Sequence, residues 1–294
     1  MSSTQILQEK YAVVFGAGGS IGAAVAKEFA AQGAELFLSG HTKPGVESVT
    51  KQIAANGGRA HATVIDTLDD AAVNQYIDDI AKQVGKVDII LDAAGPLAKE
   101  YGNGKNAVDL PIEEFMVPLA TMLKSRFITA RAAARLMIKQ HSGVIIFVTG
   151  SPARAHVPGA TAIGAAFGAI ENLTQNLAFE ISPFGVRVVC LRTLANTDSR
   201  SIQDTMYLLA DKLNLTKDQA MAQIAQSNFL KVPATVQDTA NAPVLIASDR
   251  AHADGNGGQR DGGSRAGLNG RLSDSGNCRK PTREMEKRST DSIS

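Results

Sequence analysis

Cysteine is scarce in this sequence. Cys190 and Cys278 are its only two, far apart, and they form neither a disulfide framework nor a metal-binding pattern. Cys190 lies in an apolar, strand-like run and reads as a buried, inert thiol. No metal-ligand spacing, nucleophile elbow or Walker-type phosphate loop occurs, so no metal site is expected. Excess charge of either sign is also missing. A formal net charge of +1 gives no reason to expect nucleic acid or an anionic membrane as a partner. Residues Met1–Lys10 carry no apolar signal core. No uninterrupted apolar run approaches the ~20 residues that span a bilayer. These absences point to a soluble, cytoplasmic protein.

What is present is an alternation. Short β-rich apolar runs cover Ala12–Phe15, Glu35–Ser39, His61–Ile65, Val87–Leu91, Val144–Val148 and Val186–Leu191. Amphipathic helical patterns lie between them, notably Ala23–Gln32, Val73–Val84, Phe115–Gln140 and Ala165–Ile181. Strands that alternate with helices predict an α/β fold with a parallel sheet and helices on both faces. Nearly continuous apolar runs predict strands buried on both faces. Gly33 follows the first helix as its expected closing glycine. The segment 199–234 is polar-helical and interrupts the alternation, as a lid over a cleft or as a plain surface pair of helices. A last helix is expected over Val236–Ala247.

The character changes after Arg250. Residues 251–294 hold eight of the chain's 27 glycines and only four large aliphatic residues, Leu268, Leu272, Met285 and Ile293. No strand or helix period survives there, so the segment reads as a disordered tail outside a single domain over 1–250. A sharper reading places it out of frame. With suitable synonymous codons, the stretch Asp254–Ser264 shifted by one nucleotide reads Thr-Gly-Thr-Val-Val-Asn-Ala-Thr-Gly-Gly, a good edge strand entering a turn. On that reading the true frame is lost near residue 254.

The loop Gly16-Ala-Gly-Gly-Ser-Ile-Gly22 follows the first strand directly and opens a helix. That arrangement sets backbone N–H groups against a pyrophosphate at the positive end of the helix. Gly16 supplies the tight turn, Gly18 and Gly19 allow close approach of the backbone, and Gly22 lets the helix pack on the strand. Flanking strand, following helix and repeated βα units make the motif a dinucleotide site. An acid near the end of the second strand would select the ribose hydroxyls of NAD. The chain has Ser39-Gly-His-Thr-Lys43 there instead. His41 and Lys43 can face a 2′-phosphate, which favours NADP over NAD.

With those residues in view, the chain resembles the short-chain dehydrogenase/reductase family over roughly residues 8–250. Carrying the resemblance are Val14–Gly22, Asp66, Asp92-Ala-Ala-Gly95, Gly143–Ser151, Asn176–Glu180, Val186-Arg-Val188 and Ala247-Ser-Asp249. The resemblance implies a Rossmann-type, doubly wound, three-layer αβα domain. It implies a cofactor cleft built from Gly16, Gly18, Gly19, Ser20, Ile21, Gly22, His41, Asp66, Ala93, Ala94 and Gly95. There Asp66 contacts the adenine, and Asp92–Gly95 lines the adenine ribose. It also implies a homo-oligomer, a dimer or tetramer. The small-residue helix faces Ala130, Ala132, Ala133 and Ala134, and Ala165, Ala166, Gly168 and Ala169, are the candidate contact.

The family's catalytic Asn, Ser, Tyr and Lys fall here on Met122, Gly150, Ile163 and Phe167. No shift of alignment recovers them. The four tyrosines are Tyr11, Tyr76, Tyr101 and Tyr207, and no Lys lies between Lys139 and Lys212. In the family the Tyr is the general acid, and the Lys lowers its pKa and holds the nicotinamide ribose. Three replacements are apolar, which fits a site rebuilt as a packed wall, since removing one polar member alone would strand its partners. Ser151 and Arg154 are the catalytic candidates that remain, with Thr149 and His156 beside them. Arg192, Thr193, Asn196 and Asp198 follow the sixth strand, where the family has Pro-Gly. The expectation is an NADP(H)-linked oxidoreductase with a small-molecule substrate and a non-standard site; the alternative is a silent nucleotide-binding scaffold or redox sensor.

Overall fold

A computed structural model describes residues 5–228 and 230–251 of the chain. Six parallel strands form one sheet in the order β3-β2-β1-β4-β5-β6. They are β1 (Tyr11–Phe15), β2 (Glu35–Gly40), β3 (Arg59–Val64), β4 (Ile89–Asp92), β5 (Gly143–Gly150) and β6 (Val186–Thr193). Chain order reverses between β1 and β4, so the sheet is doubly wound and opens a crevice at the carboxyl ends of those two strands.

Alternate side chains of each strand feed two separate cores. Val13, Phe15, Ile90, Ile145, Phe147 and Val188 pack with Ile77, Ala133 and Ile170, which belong to α3 (Asp70–Val84), α5 (Lys124–Gln140) and α6 (Thr161–Ile181). Ala12, Val14, Leu36, Leu91, Ile146 and Val189 pack with Phe29, Val49 and Val244, from α1 (Ser20–Ala31), α2 (Lys43–Ala55) and α9 (Val236–Ala247). The result is the three-layer αβα sandwich that the alternation predicts, in a single domain.

Local chemistry sets the helix ends. Asp69 accepts a hydrogen bond from the Ala72 N–H at the start of α3, and Gly85 closes that helix at φ 85°. Gly33 follows α1 at φ 94°, the left-handed conformation expected of it. At α9, Thr235 and Asp238 cap each other's backbone N–H groups.

Two expectations need correction. β3 is not buried on both faces: it is an edge strand, pairs only with β2, and exposes most of its residues, including Arg59 and His61. The long helix over Phe115–Gln140 is also interrupted. α4 (Ile112–Pro118) ends at a proline that cannot donate a backbone hydrogen bond, and a π-turn over Leu119–Leu123 precedes α5. Met122 sits in that widened turn. The segment 199–234 contains α7 (Arg200–Leu213) and α8 (Lys217–Ser227), held together by the small cluster of Met206, Ala210 and Ala220. The proposed tail lies outside the described residues. No helix among the described residues is long and apolar enough to cross a membrane.

Candidate functional site

The glycine loop occupies the crevice, and at Gly16 and Gly22 its backbone leaves no room for a side chain. Gly16 has φ +75°, and a Cβ there would lie 2.6 Å from the Ala94 nitrogen. A Cβ on Gly22 would lie 2.3 Å from the Gly16 oxygen, so helix and loop touch backbone to backbone. Gly18 and Gly19 are exposed, and a Cβ on Gly18 would make only ordinary contact with Gly45 at the start of α2. The first turn of α1 carries neither a side-chain cap nor an acid. Its N–H groups can therefore turn to an anion, which the positive end of the helix dipole favours. This cradle fits the pyrophosphate of a dinucleotide.

The other cofactor candidates converge on the same edge of the sheet. His41 and Lys43 are exposed just beyond β2, and no acid stands in the first turn of α2. Lys43 approaches Glu47 at 3.7 Å, both largely solvated. Asp66 follows β3, where one carboxylate oxygen accepts from the Leu68 N–H at 2.9 Å. Ala93, Ala94 and Gly95 follow β4 directly, with Ala94 against Gly16. Ser20 opens α1, and its hydroxyl accepts the backbone N–H of Arg200 at 3.1 Å. This bond ties the start of α7 to the glycine loop.

Across the cleft, Met122, Ile163 and Phe167 pack as apolar contacts. Met122 is 7% exposed and leans on the next loop: a Cβ on Gly95 would meet its Cε at 3.3 Å. Ile163 is 7% exposed, and Phe167 packs on the same core from one turn further along α6. The Phe167 ring covers Gly150, where a Cβ would stand 3.0 Å from Cε2. Serine at 150 and phenylalanine at 167 are thus sterically coupled, and the glycine accompanies the ring.

Tyrosine provides no obvious acid elsewhere. Burial pushes Tyr76 well above its ordinary value and Tyr101 up to about 12. Tyr207 does have a lysine partner, Lys217, whose Nζ donates to its hydroxyl at 3.0 Å, but this exposed pair joins α7 to α8.

Ser151 lies half-buried in the single helical turn after β5. Its hydroxyl has no hydrogen-bond partner among the described residues, while its carbonyl accepts from the N–H groups of Arg154 and Ala155. Arg154 is placed differently. Its Nε donates to Glu171 at 3.0 Å, and its side chain stays mostly exposed. Glu171, on α6, is buried and also receives Arg192, whose Nε and Nη2 donate to opposite carboxylate oxygens at 2.7 Å each. Thr149 joins at 3.4 Å. Burial alone would raise the Glu171 pKa, but the hydrogen bonds and charges of Arg192 and Arg154 outweigh it and hold the value below the usual range. One carboxylate therefore ties together the end of β6, the loop after β5 and α6. Beside it, burial pushes the Cys190 thiol up to about 11, so it stays protonated and unreactive near neutrality.

Glu171 and a second buried ion pair, Asp92–Arg126, had not been anticipated from the sequence. Glu171 lies eight residues beyond Ile163 on the buried side of α6, but Arg126 follows Lys124 and Ser125 on α5, and nothing local marks it as buried. His156 borders an open groove of about 460 Å³ with Thr161, Gly164 and Ala165, and none of the four catalytic-position residues lines it. The alanines Ala130, Ala132, Ala133 and Ala134 are buried in the core, where they bring α5 close to the sheet.

A doubly wound parallel sheet with a glycine-loop cradle at its switch point defines a Rossmann-type, nucleotide-binding protein. Residues 10–203 match the family model described as short chain dehydrogenase. The chain belongs to the short-chain dehydrogenase/reductase family of oxidoreductases. An uncharacterized oxidoreductase of Bacillus subtilis strain 168, YxbG, is 30% identical over 248 residues, covering 83% of this chain and 86% of the relative. The 7alpha-hydroxysteroid dehydrogenase of Escherichia coli strain K12 is 29% identical over 182 residues, covering 62% of this chain and 69% of the relative. Among solved structures, a protein from Beutenbergia cavernae with NADP bound at low occupancy aligns with a TM-score of 0.75 at 28% identity, covering 86% of this chain and 95% of that one. NAD+-bound xylitol dehydrogenase aligns with a TM-score of 0.79 at 23% identity, covering 85% and 96%, a likeness of fold.

Proposed function

We propose that the protein is an NADP(H)-linked oxidoreductase whose active site works without the family's Tyr and Lys. The observation that carries the cofactor half is the Gly16–Ala94 backbone contact, which clears a side-chain-free cradle before the first turn of α1. His41 and Lys43 are the basic groups that would accept a 2′-phosphate, with no acid in the first turn of α2 and Glu47 one turn further on. A relative in structure carries NADP. When bound, the nicotinamide supplies or accepts the hydride.

The chain's own residues then have limited tasks. Ser151 offers a hydroxyl to a substrate carbonyl from the loop after β5. Arg154, anchored through Nε, presents its remaining guanidinium N–H groups at the rim. Met122, Ile163 and Phe167 exclude water from the floor. The hairpin of α7 and α8 acts as a lid attached to the glycine loop through Ser20. The site serves a small-molecule substrate, in a cytoplasmic homo-oligomer.

A second reading is favoured by one specific contact. Phe167 fills the space over Gly150, where the family places its catalytic hydroxyl, so the protein binds the nucleotide without turnover as a scaffold or redox sensor. One experiment separates the two. The chain contains no tryptophan, so NADPH fluorescence can be followed with little protein background. Titration with NADPH and NADH is followed by loss of nicotinamide absorbance with a panel of carbonyl compounds. Saturable, NADPH-selective binding with turnover that is lost in S151A supports the oxidoreductase. Saturable binding without turnover supports the scaffold, and no binding of either nucleotide defeats both.

A further inference from the structure

We propose that Arg126 is a positioning residue for the dinucleotide cleft, which it serves by gripping the Ala94 peptide and so setting the height of Asp92–Gly95 against the glycine loop. The proposal rests on the reading of that cleft as a dinucleotide site. Arg126 is 1% exposed and Asp92 is 0% exposed. Arg126 Nη1 donates to the Ala94 carbonyl and lies 3.5 Å from Asp92 Oδ1. The same Oδ1 accepts the Ala94 N–H at 2.9 Å. One ion pair therefore holds both polar groups of residue 94.

Satisfying Asp92 does not require this arginine for hydrogen bonding. Its other oxygen already accepts from Ser125 at 2.8 Å and from Thr129 at 3.0 Å. What Arg126 adds is the compensating charge and the hold on the Ala94 oxygen, at the cost of burying a guanidinium whose Nε has no partner. That hold reaches the cofactor loop directly. A Cβ on Gly16 would lie 2.6 Å from the Ala94 nitrogen and 2.7 Å from the Ala93 carbonyl carbon. With bare backbone on both sides, no side chain absorbs a displacement of Ala94. Met122, one turn before Arg126, presses on Gly95 in the same stretch. Residues 92–95 are thus supported by consecutive turns from Met122 to Thr129, and Arg126 is the member that carries charge.

Removing Arg126 alone strands the buried Asp92, so the informative variant is Asp92→Asn with Arg126→Met, which removes both charges and retains side chains of similar size. The expected result is a folded protein with an unfolding midpoint near that of the unaltered chain. Its NADPH affinity falls at least tenfold, about 1.4 kcal/mol. Amide hydrogen exchange of the unliganded protein provides a readout independent of the cofactor, and it should accelerate at Gly16–Gly19 and Ala93–Gly95 while β5 stays protected. The single variant Asp92→Asn keeps the grip on the Ala94 oxygen but leaves the buried Arg126 guanidinium without its counter-charge, so a lowered midpoint is expected there and not in the double variant. Unchanged affinity and unchanged exchange in the double variant would overturn the proposal. So would exchange that accelerates evenly across the sheet with a lowered midpoint, the mark of a purely structural pair. If the unaltered protein binds neither NADPH nor NADH, the cofactor reading fails, and the exchange data still decide whether Arg126 positions residues 93–95.

Discussion

The two halves of the cleft treat space in opposite ways. On the β1 side, backbone meets backbone, and Gly16 and Gly22 admit no side chain. On the β5–β6 side, side chains fill the space: Met122 against Gly95, Phe167 over Gly150, and a buried carboxylate with two arginines beneath. A nucleotide cradle needs donors and clearance, which glycine backbone supplies. A reaction centre needs a polar side chain with a tuned pKa, whereas Met122, Ile163 and Phe167 on this side are apolar. The difference shows that the two tasks of such a cleft are physically separable. One half is built of bare backbone, the other of packed side chains and buried ion pairs.

The most severe test of the packed half is Glu171→Ala. It leaves Arg192 buried without its carboxylate, and we expect a loss of about 3–5 kcal/mol in urea unfolding. A loss under about 1 kcal/mol would show that Arg192 finds water or another acceptor. On the cradle side, Gly16→Ala forces a Cβ onto the Ala94 backbone at a positive φ. Dinucleotide affinity should drop about 100-fold, roughly 2.7 kcal/mol, and unchanged binding would remove the cradle argument.

A third test addresses steric coupling inside the packed half. Gly150→Ser should cost about 1–3 kcal/mol through crowding against Phe167. With Phe167→Ala in the same chain, the two costs should sum to less than the separate losses, by about 1 kcal/mol in a double-mutant cycle. Strict additivity would mean that residue 150 is glycine for another reason.

The mildest effect is a pH dependence. Cys190 has its pKa raised from an ordinary 9.0 to about 11 in the folded chain, so the unfolded chain releases this proton first. The thiol's contribution is fully present below pH 9 and is lost as pH rises toward 11. Urea midpoints measured through this range should fall more steeply for the unaltered protein than for Cys190→Ala. Parallel curves would show that the thiol is not coupled to folding.

Much of this molecule was legible before any coordinates. The glycine loop is a local feature: turn, cradle and helix start lie within seven consecutive residues, Gly16–Gly22, and their spacing is their geometry. The predicted strands appear within two residues of their expected starts, and α9 falls on the expected Val236–Ala247. The break before α5 was also readable, because Pro118 stands inside the expected helix; the apolar period that continues through it obscured the signal. The exposure of β3 was not readable. An apolar-looking run does not reveal whether its strand will lie at the centre of the sheet or at its edge.

The charged pairs mark the same limit more sharply. Glu171 meets Arg154 and Arg192, and Asp92 meets Arg126, across sequence separations of 17, 21 and 34 residues. Nothing in local spacing distinguishes such residues from solvated surface charges. Their pairing and burial arise only when α5 and α6 lie on the sheet and strand order brings β4, β5 and β6 side by side. Sequence alone determined the class of fold and the glycine loop, because these depend on period and local backbone demands. Tertiary structure alone decided how the buried charges pair, because neutralising a buried charge requires a partner at contact distance, and only the packed sheet provides one.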